Sequence, residues 1–304
     1  MTTTTDDPLP ALLRALKSRA TPERLQAAKT LGRLGWLARD AIPALVRALD
    51  DADPKVREAC AHAVGLMGPE ALPPLRRMLG HDDKYVRRNA IWAMGKLGPL
   101  ALTALKDLCR ALKDPDPRAA SGAAQALGNL GSDGGDAVPP LAEAMRGTNI
   151  VLCRLAAKAL SQIGPPALAT LVAHLQHADP FVRGESALAL GWMGAGARSA
   201  VPFLAQIVRG PNPRNLADTP PPAGGLNRAA VAAAPPAGSG LLTPTAPSEE
   251  ASTEEMCRVY AAQALGRMGA AAAPAVGDLR VAARFGPDPL RDAAKQALRN
   301  IQDA

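Results

Sequence analysis

The sequence predicts an all-α protein, a right-handed α-solenoid of about eight antiparallel helix pairs. Three observations lead to this prediction. One helical motif recurs along the 304 residues, the copies are spaced as in helical repeat arrays, and the alternating Val/Ile/Thr patterns typical of strands are absent. Hydrophobic residues make up 47% of the chain but aromatic residues only 3%, which suits close helix packing through Ala and Leu.

The clearest copy of the motif is DPKVREACAHAVGLMG, residues 53–68. Asp53 is expected to cap a helix with its carboxylate, and Pro54 suits the first helical turn. Gly68 is expected to end the helix in a left-handed conformation. Apolar residues recur between them at spacings of three, four and seven, so one face of this helix is apolar.

Closing glycines equivalent to Gly68 recur along the chain, at Gly35, Gly68, Gly98, Gly131, Gly164, Gly194 and Gly269. The steps between them are 33, 30, 33, 33, 30 and 75 residues. The last step equals one repeat plus an insertion of roughly 42 residues. A repeat array forms one quasi-linear unit whatever its length, so we expect a single solenoid.

The predicted elements follow in order from a disordered tail at residues 1–6. Helix 8–17 and a helix capped by Thr21 that ends at Gly35 form the first pair. Later first helices, with a proline near most of their starts, are predicted at 40–49, 69–79, 99–112, 135–146, 165–177 and 197–209. Second helices are predicted at 54–67, 84–97, 117–130, 150–163 and 180–193. Residues 7–209 thus hold repeats 1–6 and the first helix of repeat 7.

Residues 210–251 are rich in Pro, Gly and Ala, and no helical period survives there. We expect a disordered insertion between the two helices of the seventh pair. The second helix resumes at Ser252, and the eighth pair follows at 271–284 and 288–302, so 252–304 completes the array. Three roles stay open for the insertion: a lid, a polyproline ligand motif at Pro220–Pro222, and a passive loop.

The second helices read D-P-x-V-R-x-x-A-x-x-A-L-G-x-L-G and the first helices A-x-P-A-L-x-x-L-L. This pattern resembles the HEAT repeat, in particular the short phycobilisome-lyase-type HEAT-like repeat, over nearly the whole chain except 1–6 and 210–251. The resemblance implies a ladder of charged residues that ties each repeat to the next: Arg24, Arg57, Arg87, Arg183, Arg258 and Arg291 with Asp53, Asp83, Asp116, Asp179 and Glu254. Ala120 and Cys153 replace the arginine, so the ladder is expected to be interrupted there.

In such an array the second helices line the concave side, and the positions where copies differ are expected to face the groove. These partner-binding candidates are Lys29, Arg33, Glu58, His62, Arg88, Asn89, Trp92, Lys96, Arg154, Lys158, Glu185, Leu188, Trp192, Tyr260 and Arg267. Trp, Tyr and Arg dominate interface energies. We therefore predict a non-enzymatic scaffold that binds a protein or peptide on its concave face. The competing interpretations are that the tryptophans fill space between repeats and that the charges form an ordinary solvated face.

Two other functions remain as alternatives. The net charge of +7 and a pI near 9.5 permit a nucleic-acid partner, with Arg on phosphates and Trp on bases. The resemblance also implies a phycobilin lyase-like role in chromophore handling. The similar deoxyhypusine hydroxylases bind iron through His-Glu dipeptides, and none of the four histidines here precedes Glu. We expect no catalytic residues, no cofactor and no metal.

The location of the protein follows from what the sequence lacks. The first ten residues have no basic and apolar signal-peptide pattern, and no apolar run is long enough to span a membrane. The four cysteines, Cys60, Cys109, Cys153 and Cys257, form no C-x-x-C pair and are expected to be reduced thiols. We expect a monomeric, bacterial, cytoplasmic protein without membrane attachment.

Overall fold

A computed structural model describes residues 7–210 and 253–304 of the chain. Within these two ranges the structure contains sixteen α-helices and no β-strand. This confirms the all-α solenoid of paired helices. The tail predicted at 1–6, and nearly all of the insertion predicted at 210–251, lie outside the described residues, so their disorder stays a prediction.

The helices form two compact units, one up to Pro140 and one from Leu141 onwards, and each is described by itself. The helices of the first unit are α1 Leu9–Ala15, α2 Thr21–Leu34, α3 Ile42–Arg47, α4 Pro54–Val64, α5 Leu72–Met78, α6 Lys84–Leu97, α7 Leu105–Ala111 and α8 Pro117–Gly128. Helix α9, Val138–Met145, contains the division. The second unit continues with α10 Ile150–Ile163, α11 Pro165–His174, α12 Pro180–Met193, α13 Val201–Arg209, α14 Thr253–Arg267, α15 Val276–Phe285 and α16 Asp288–Gln302.

The even-numbered helices are the second helices of the pairs, and they pack side by side within each unit. In the first unit α2, α4, α6 and α8 form this layer, and in the second unit α10, α12, α14 and α16 do so. Helix α13 packs against α14, although residues 210–252 separate them in sequence. The seventh pair therefore forms across the interruption.

The glycines that close the second helices have a positive φ, as predicted, but not the left-handed helical conformation. Gly35 has φ 53° and ψ −129°, and Gly98 has φ 55° and ψ −131°. These angles fall in the mirror image of the β region, which is open to glycine and costly for other residues. The chain leaves Gly35 directly into a 3-10 segment, Gly35–Ala41, and the first helix predicted from residue 40 begins at Ile42.

The aspartate caps are confirmed. Asp53 accepts hydrogen bonds from the backbone N–H groups of Lys55 and Val56, at 2.8 and 3.4 Å. Equivalent caps are made by Asp83, Asp116 and Asp179. The cap predicted at Thr21 is wrong, because Ala20 occupies the cap position of α2 and Thr21 is its first residue.

The arginine that recurs in most of the motifs binds the loop that precedes its own helix. Arg57 Nη1 donates to the carbonyls of Asp51 and Ala52 at 2.7 and 3.2 Å, and Arg183 Nη1 donates to the carbonyls of His177 and Ala178 at 2.7 and 2.9 Å. We call this arrangement the arginine clasp. It satisfies loop carbonyls that no helix pairs.

The ladder between repeats uses a different acid from the one implied by the resemblance. Arg24 binds Asp51 and not the cap Asp53, with Nε to Oδ2 at 2.7 Å and Nη2 to Oδ1 at 2.8 Å. In this repeat the acid stands two residues before the cap, whose own carboxylate accepts N–H groups of α4. Arg183 does pair with Glu254. At Cys153 the thiol takes over part of the clasp and donates to the Gly147 carbonyl at 3.2 Å.

Candidate functional site: the outer rows of the second helices

The second helices share two outward positions, which lie six and two residues before the closing glycine. We call these positions the outer rows. In the first unit they hold exposed side chains throughout: Lys29, Arg33, His62, Leu66, Trp92, Lys96, Gln125 and Asn129. In the second unit they hold Lys158, Gln162, Leu188, Trp192, Gln263 and Arg267.

Three side chains from α4 and α6 meet on this surface, and we call them the Trp92 cluster. The ring of Trp92 is 36% exposed, and its centroid lies 5.9 Å from that of His62, with the two planes tilted by 40°. Lys96 Nζ lies 5.0 Å from the Trp92 ring centroid, within the range of a cation–π contact. His62, Trp92 and Lys96, which were predicted as partner-binding residues, are therefore neighbours on one exposed surface. Their role in binding stays a prediction.

A groove of about 500 Å³ runs between α2 and α4 on the same surface. Three small residues form its floor: Ala28, Gly32 and Ala59. Larger side chains form its walls: Lys29, Arg33, His62 and Leu66. The two helices approach closely here, because a Cβ added at Gly32 would lie 3.3 Å from the Ala63 Cα. The groove is thus narrow, apolar at the base and basic on its α2 side.

The predicted site residues Arg88 and Asn89 do not face outwards with Trp92. Arg88 Nε donates to Asp116 Oδ2 at 2.5 Å, and Asn89 Nδ2 donates to the Leu49 carbonyl at 3.4 Å. The Arg88 guanidinium lowers the pKa of the Asp116 carboxyl to about 2. Both side chains therefore join neighbouring repeats, whereas Glu58, at the position equivalent to Arg88, is exposed.

In the second unit the predicted exposure of Glu185 and Leu188 is wrong. Glu185 is only 2% exposed and Leu188 8%. The cause is the close approach of α14 to α12: a Cβ added at Gly191 would lie 2.8 Å from the Ala264 Cα, and one at Gly184 would lie 3.0 Å from the Tyr260 ring. Glycines on either side of these two residues let α14 cover them.

Glu185 instead belongs to a polar cluster between α10, α12 and α14. Its Oε1 lies 3.2 Å from Arg154 Nε. Burial raises the pKa of Glu185, and the nearby Arg154 opposes that shift. Tyr260 is half-buried beside this pair, and burial raises the pKa of its hydroxyl. Arg154, Glu185 and Tyr260, which were predicted to face the groove, thus form a cluster that is partly or fully buried.

Gln162, Trp192 and Arg267 are the exposed residues of the second unit's outer rows. The Trp192 side chain is 41% exposed, and Arg267 Cζ lies 5.9 Å from its ring centroid. Lys158, on α10, is half-buried. The second unit therefore offers an aromatic and a cation side by side, on a smaller exposed area than the first.

Three exposed aromatic residues were not among the predicted site residues: Trp36, Tyr85 and Phe285. Trp36 is 55% exposed, with Arg39 Cζ 4.3 Å from its ring centroid, and Tyr85 is 44% exposed. Trp36 directly follows a closing glycine and Tyr85 lies in the first turn of α6. A large aromatic residue at a solvent-facing helix end is the signal that could have identified Trp36 and Tyr85.

The described residues contain no group of three or more His, Cys, Asp or Glu side chains arranged to hold a metal. The His174 and His177 ring centroids are 6.1 Å apart. All four cysteines are free, and burial raises the pKa of Cys60 and Cys257 to about 12, which leaves their thiols unreactive. In the part of the chain that is described, every helix is too short or too polar to cross a bilayer.

Comparisons with solved structures find similar chains at low identity. An engineered protein is 20% identical, with 97% of this chain and 78% of that chain covered and a TM-score of 0.44. The complex of CpcE and CpcF of phycocyanin lyase from Nostoc sp. PCC7120 is 24% identical, with coverages of 67% and 83% and a TM-score of 0.41. Human deoxyhypusine hydroxylase in complex with glycerol is 20% identical, with coverages of 97% and 96% and a TM-score of 0.35. A comparison with curated proteins finds no match.

The family comparison agrees with the repeat geometry. A model of HEAT repeats matches residues 9–94, 42–110, 78–152 and 138–218. Together these matches span more than half of the 304 residues. With the paired helices, the closing glycines and the capping aspartates in place, the chain belongs to the HEAT repeat family.

Proposed function

We propose that this HEAT repeat protein is a non-enzymatic scaffold that binds a protein or peptide on the outer rows of its second helices. The Trp92 cluster is the observation that carries the proposal. Its aromatic ring lies between a histidine of the neighbouring helix α4 and a lysine of its own helix α6, and these two helices pack on each other. Trp92 still exposes 36% of its area, which a partner can cover.

The energetic argument rests on the residue types that lie on this face. Tryptophan and arginine contribute most often to the few contacts that dominate interface affinity. Trp92 and Trp192 each lie next to a cation, Lys96 and Arg267 respectively. A partner side chain placed against either ring buries apolar area and meets a fixed positive charge, and the helix holds both groups in position.

The test is affinity capture with immobilised full-length protein, followed by titration of each captured partner. We compare wild type with the Trp92→Ala/Trp192→Ala double variant and with Phe285→Ala as the matched control. Phe285 is 72% exposed but lies on α15, a first helix. We expect the double variant to lose about 2 kcal/mol or more, roughly a 30-fold drop in affinity, and the control to bind as wild type does. Equal affinity of all three proteins contradicts the proposal.

Nucleic acid is the second candidate partner, because the outer rows carry lysine and arginine beside two exposed tryptophans. Phosphate binding by these cations releases counterions, so the affinity must fall steeply as salt rises. A titration of single-stranded and duplex DNA between about 50 and 200 mM salt separates the two candidates. Absent binding, or an affinity that does not change with salt, excludes nucleic acid.

A further inference from the structure

We propose that the groove between α2 and α4 receives an acidic segment of the partner, with its carboxylates paired to Lys29 and Arg33 and an apolar side chain on the groove floor. This inference rests on the proposed function and specifies the chemistry of the partner. It concerns the first unit alone, where the groove lies.

The first observation is the charge of the outer rows. In the seven described repeats that end at a glycine, none of the outer-row positions carries Asp or Glu. Five carry a cation: Lys29, Arg33, Lys96, Lys158 and Arg267. A surface with one sign of charge favours a partner of the opposite sign and excludes partners of the same sign.

The second observation is that the two groove cations are not used by the fold. Arg24, on the same helix, has its charge paired with Asp51, and Arg87 is paired with Asp114. Lys29 and Arg33 are exposed and have no ion pair within residues 7–210 and 253–304. They are four residues apart, so both project from one side of α2.

The third observation is the apolar base of the groove. Ala28, Gly32 and Ala59 form the floor, and Leu66 stands on the α4 side, where it is 46% exposed. No carboxylate lines the groove. An inserted aliphatic or aromatic side chain would cover this floor and Leu66, while acidic neighbours in the partner reach the two cations on the opposite wall.

The surroundings favour a short acidic segment over a nucleic acid. From Lys29 to Arg33 the helix rises only about 6 Å, which is the length of about two extended residues. Exposed acids lie outside the groove, at Glu58 on α4 and at Asp82 and Asp83 before α6. A phosphate backbone that continued across the repeats would meet these acids, whereas a short peptide within the groove avoids them.

The experiment is a selection of random dodecapeptides on the immobilised full-length protein. Wild type is the target, and the Lys29→Glu/Arg33→Glu variant is the counter-target. The control variant, Arg47→Glu/Lys106→Glu, carries the same charge change on exposed positions of the first helices α3 and α7. Circular dichroism melting of all three proteins shows that each variant is folded before the selection begins.

We expect the enriched peptides to carry a net negative charge and at least one large apolar residue. Individual peptides should lose at least tenfold in affinity on Lys29→Glu/Arg33→Glu and bind the control variant as they bind wild type. A matched peptide with its acids changed to Gln, and another with its apolar residue changed to Ser, should each bind more weakly.

Three results overturn the inference. In the first result the enriched peptides are neutral or basic, and they no longer bind the Trp92→Ala variant. This result leaves the scaffold function intact but refutes the acidic segment. Peptides that bind wild type and Lys29→Glu/Arg33→Glu equally place binding outside the groove. In the third result no peptide is enriched, but a twenty-nucleotide thymidine strand binds in a salt-dependent way and the Lys29→Glu/Arg33→Glu variant does not bind it. This result refutes both the peptide scaffold and the acidic segment.

Discussion

Arg87 on α6 holds Asp114 of the following repeat through two parallel hydrogen bonds, each 2.8 Å long. The same carboxylate accepts the backbone N–H of Asp116 at 2.8 Å, so one aspartate joins two repeats and shapes the loop before α8. Arg24 and Asp51 repeat the arrangement earlier in the chain. This geometry makes the pair sensitive to pH and to substitution.

We expect Asp114→Asn to destabilise the protein at pH 7 by about 1.5–3 kcal/mol, because a charge-assisted pair of bonds is lost. The Arg87 hydrogen bond lowers the pKa of Asp114 from its ordinary 3.8. A lowered folded-state pKa gives stability that is present above 3.8 and lost as the pH falls through the folded value. Urea unfolding at pH 7, 5 and 3 should show wild type and variant converging at the lowest pH.

The control for this prediction is Asp82→Asn, an exposed position, which should leave the urea midpoint unchanged at each pH. A difference between Asp114→Asn and wild type that stays constant from pH 7 to pH 3 would contradict the proposed role of the ionised carboxylate.

Glu185 should show the opposite pH dependence. Burial raises its pKa above the ordinary 4.5, so its contribution to stability is fully present below 4.5 and declines as the pH rises through the folded value. We expect the stability of Glu185→Gln relative to wild type to improve as the pH is raised from 4 to 8. The measurement is the urea midpoint of both proteins across this range.

Glu58→Gln serves as the comparison for the buried glutamate, because Glu58 is an exposed glutamate on another second helix, α4. Its midpoint should follow that of wild type at every pH. If Glu185→Gln also follows wild type throughout, the buried carboxyl is not titrating with the raised pKa.

Substitution of a closing glycine should destabilise the protein because of backbone conformation alone. Gly131 has φ +64°, and a Cβ added there would meet nothing within 4 Å. Gly131→Ala should therefore cost about 1–3 kcal/mol through strain only. Gly196 also has open space around it, without a positive φ, so Gly196→Ala should be neutral or slightly stabilising. Equal urea midpoints for the two variants would show that the positive φ is not required.

Truncation of two adjacent residues on α6, Ile91 and Trp92, should cost very different amounts of unfolding free energy. Ile91 is fully buried, so Ile91→Ala should cost about 2–5 kcal/mol of unfolding free energy. Trp92 lies on the exposed face, so we expect Trp92→Ala to cost about 1 kcal/mol or less of stability, while it weakens partner binding. Thermal and urea unfolding measure the first effect and titration of the partner the second. A large stability loss in Trp92→Ala would support the interpretation that the ring fills space between repeats.

The sequence was sufficient for the local parts of the structure. The spacing of apolar residues, the capping aspartates and the closing glycines each act within one repeat, so Asp53 and Gly68 could be interpreted without knowing any neighbour. The exposed Trp92, His62 and Lys96 also followed from position within the repeat. Their role in partner binding stays a prediction.

The parts that could not be predicted depend on contacts between repeats. Glu185 and Leu188 occupy variable positions, yet Gly184 and Gly191 let α14 cover them, and no rule within one repeat reveals that approach. The acid that pairs with Arg24 likewise is not the cap Asp53 but Asp51, two residues before it. The sequence of one repeat does not show whether Asp51 or Asp53 pairs with an arginine of the preceding repeat.

Helices α13 and α14 dock as a hairpin although residues 210–252 lie between them in sequence, and Arg258 Nη2 holds the carbonyl of Val208 at 2.9 Å. The entropy of closing a connection between two docked elements grows only logarithmically, by about 0.6 kcal/mol for each doubling of its length. A reporter tag, a protease site or a whole folded module can thus be grafted between positions 210 and 253 while the docking of α13 on α14 is retained. The chain provides its own attachment point for engineering.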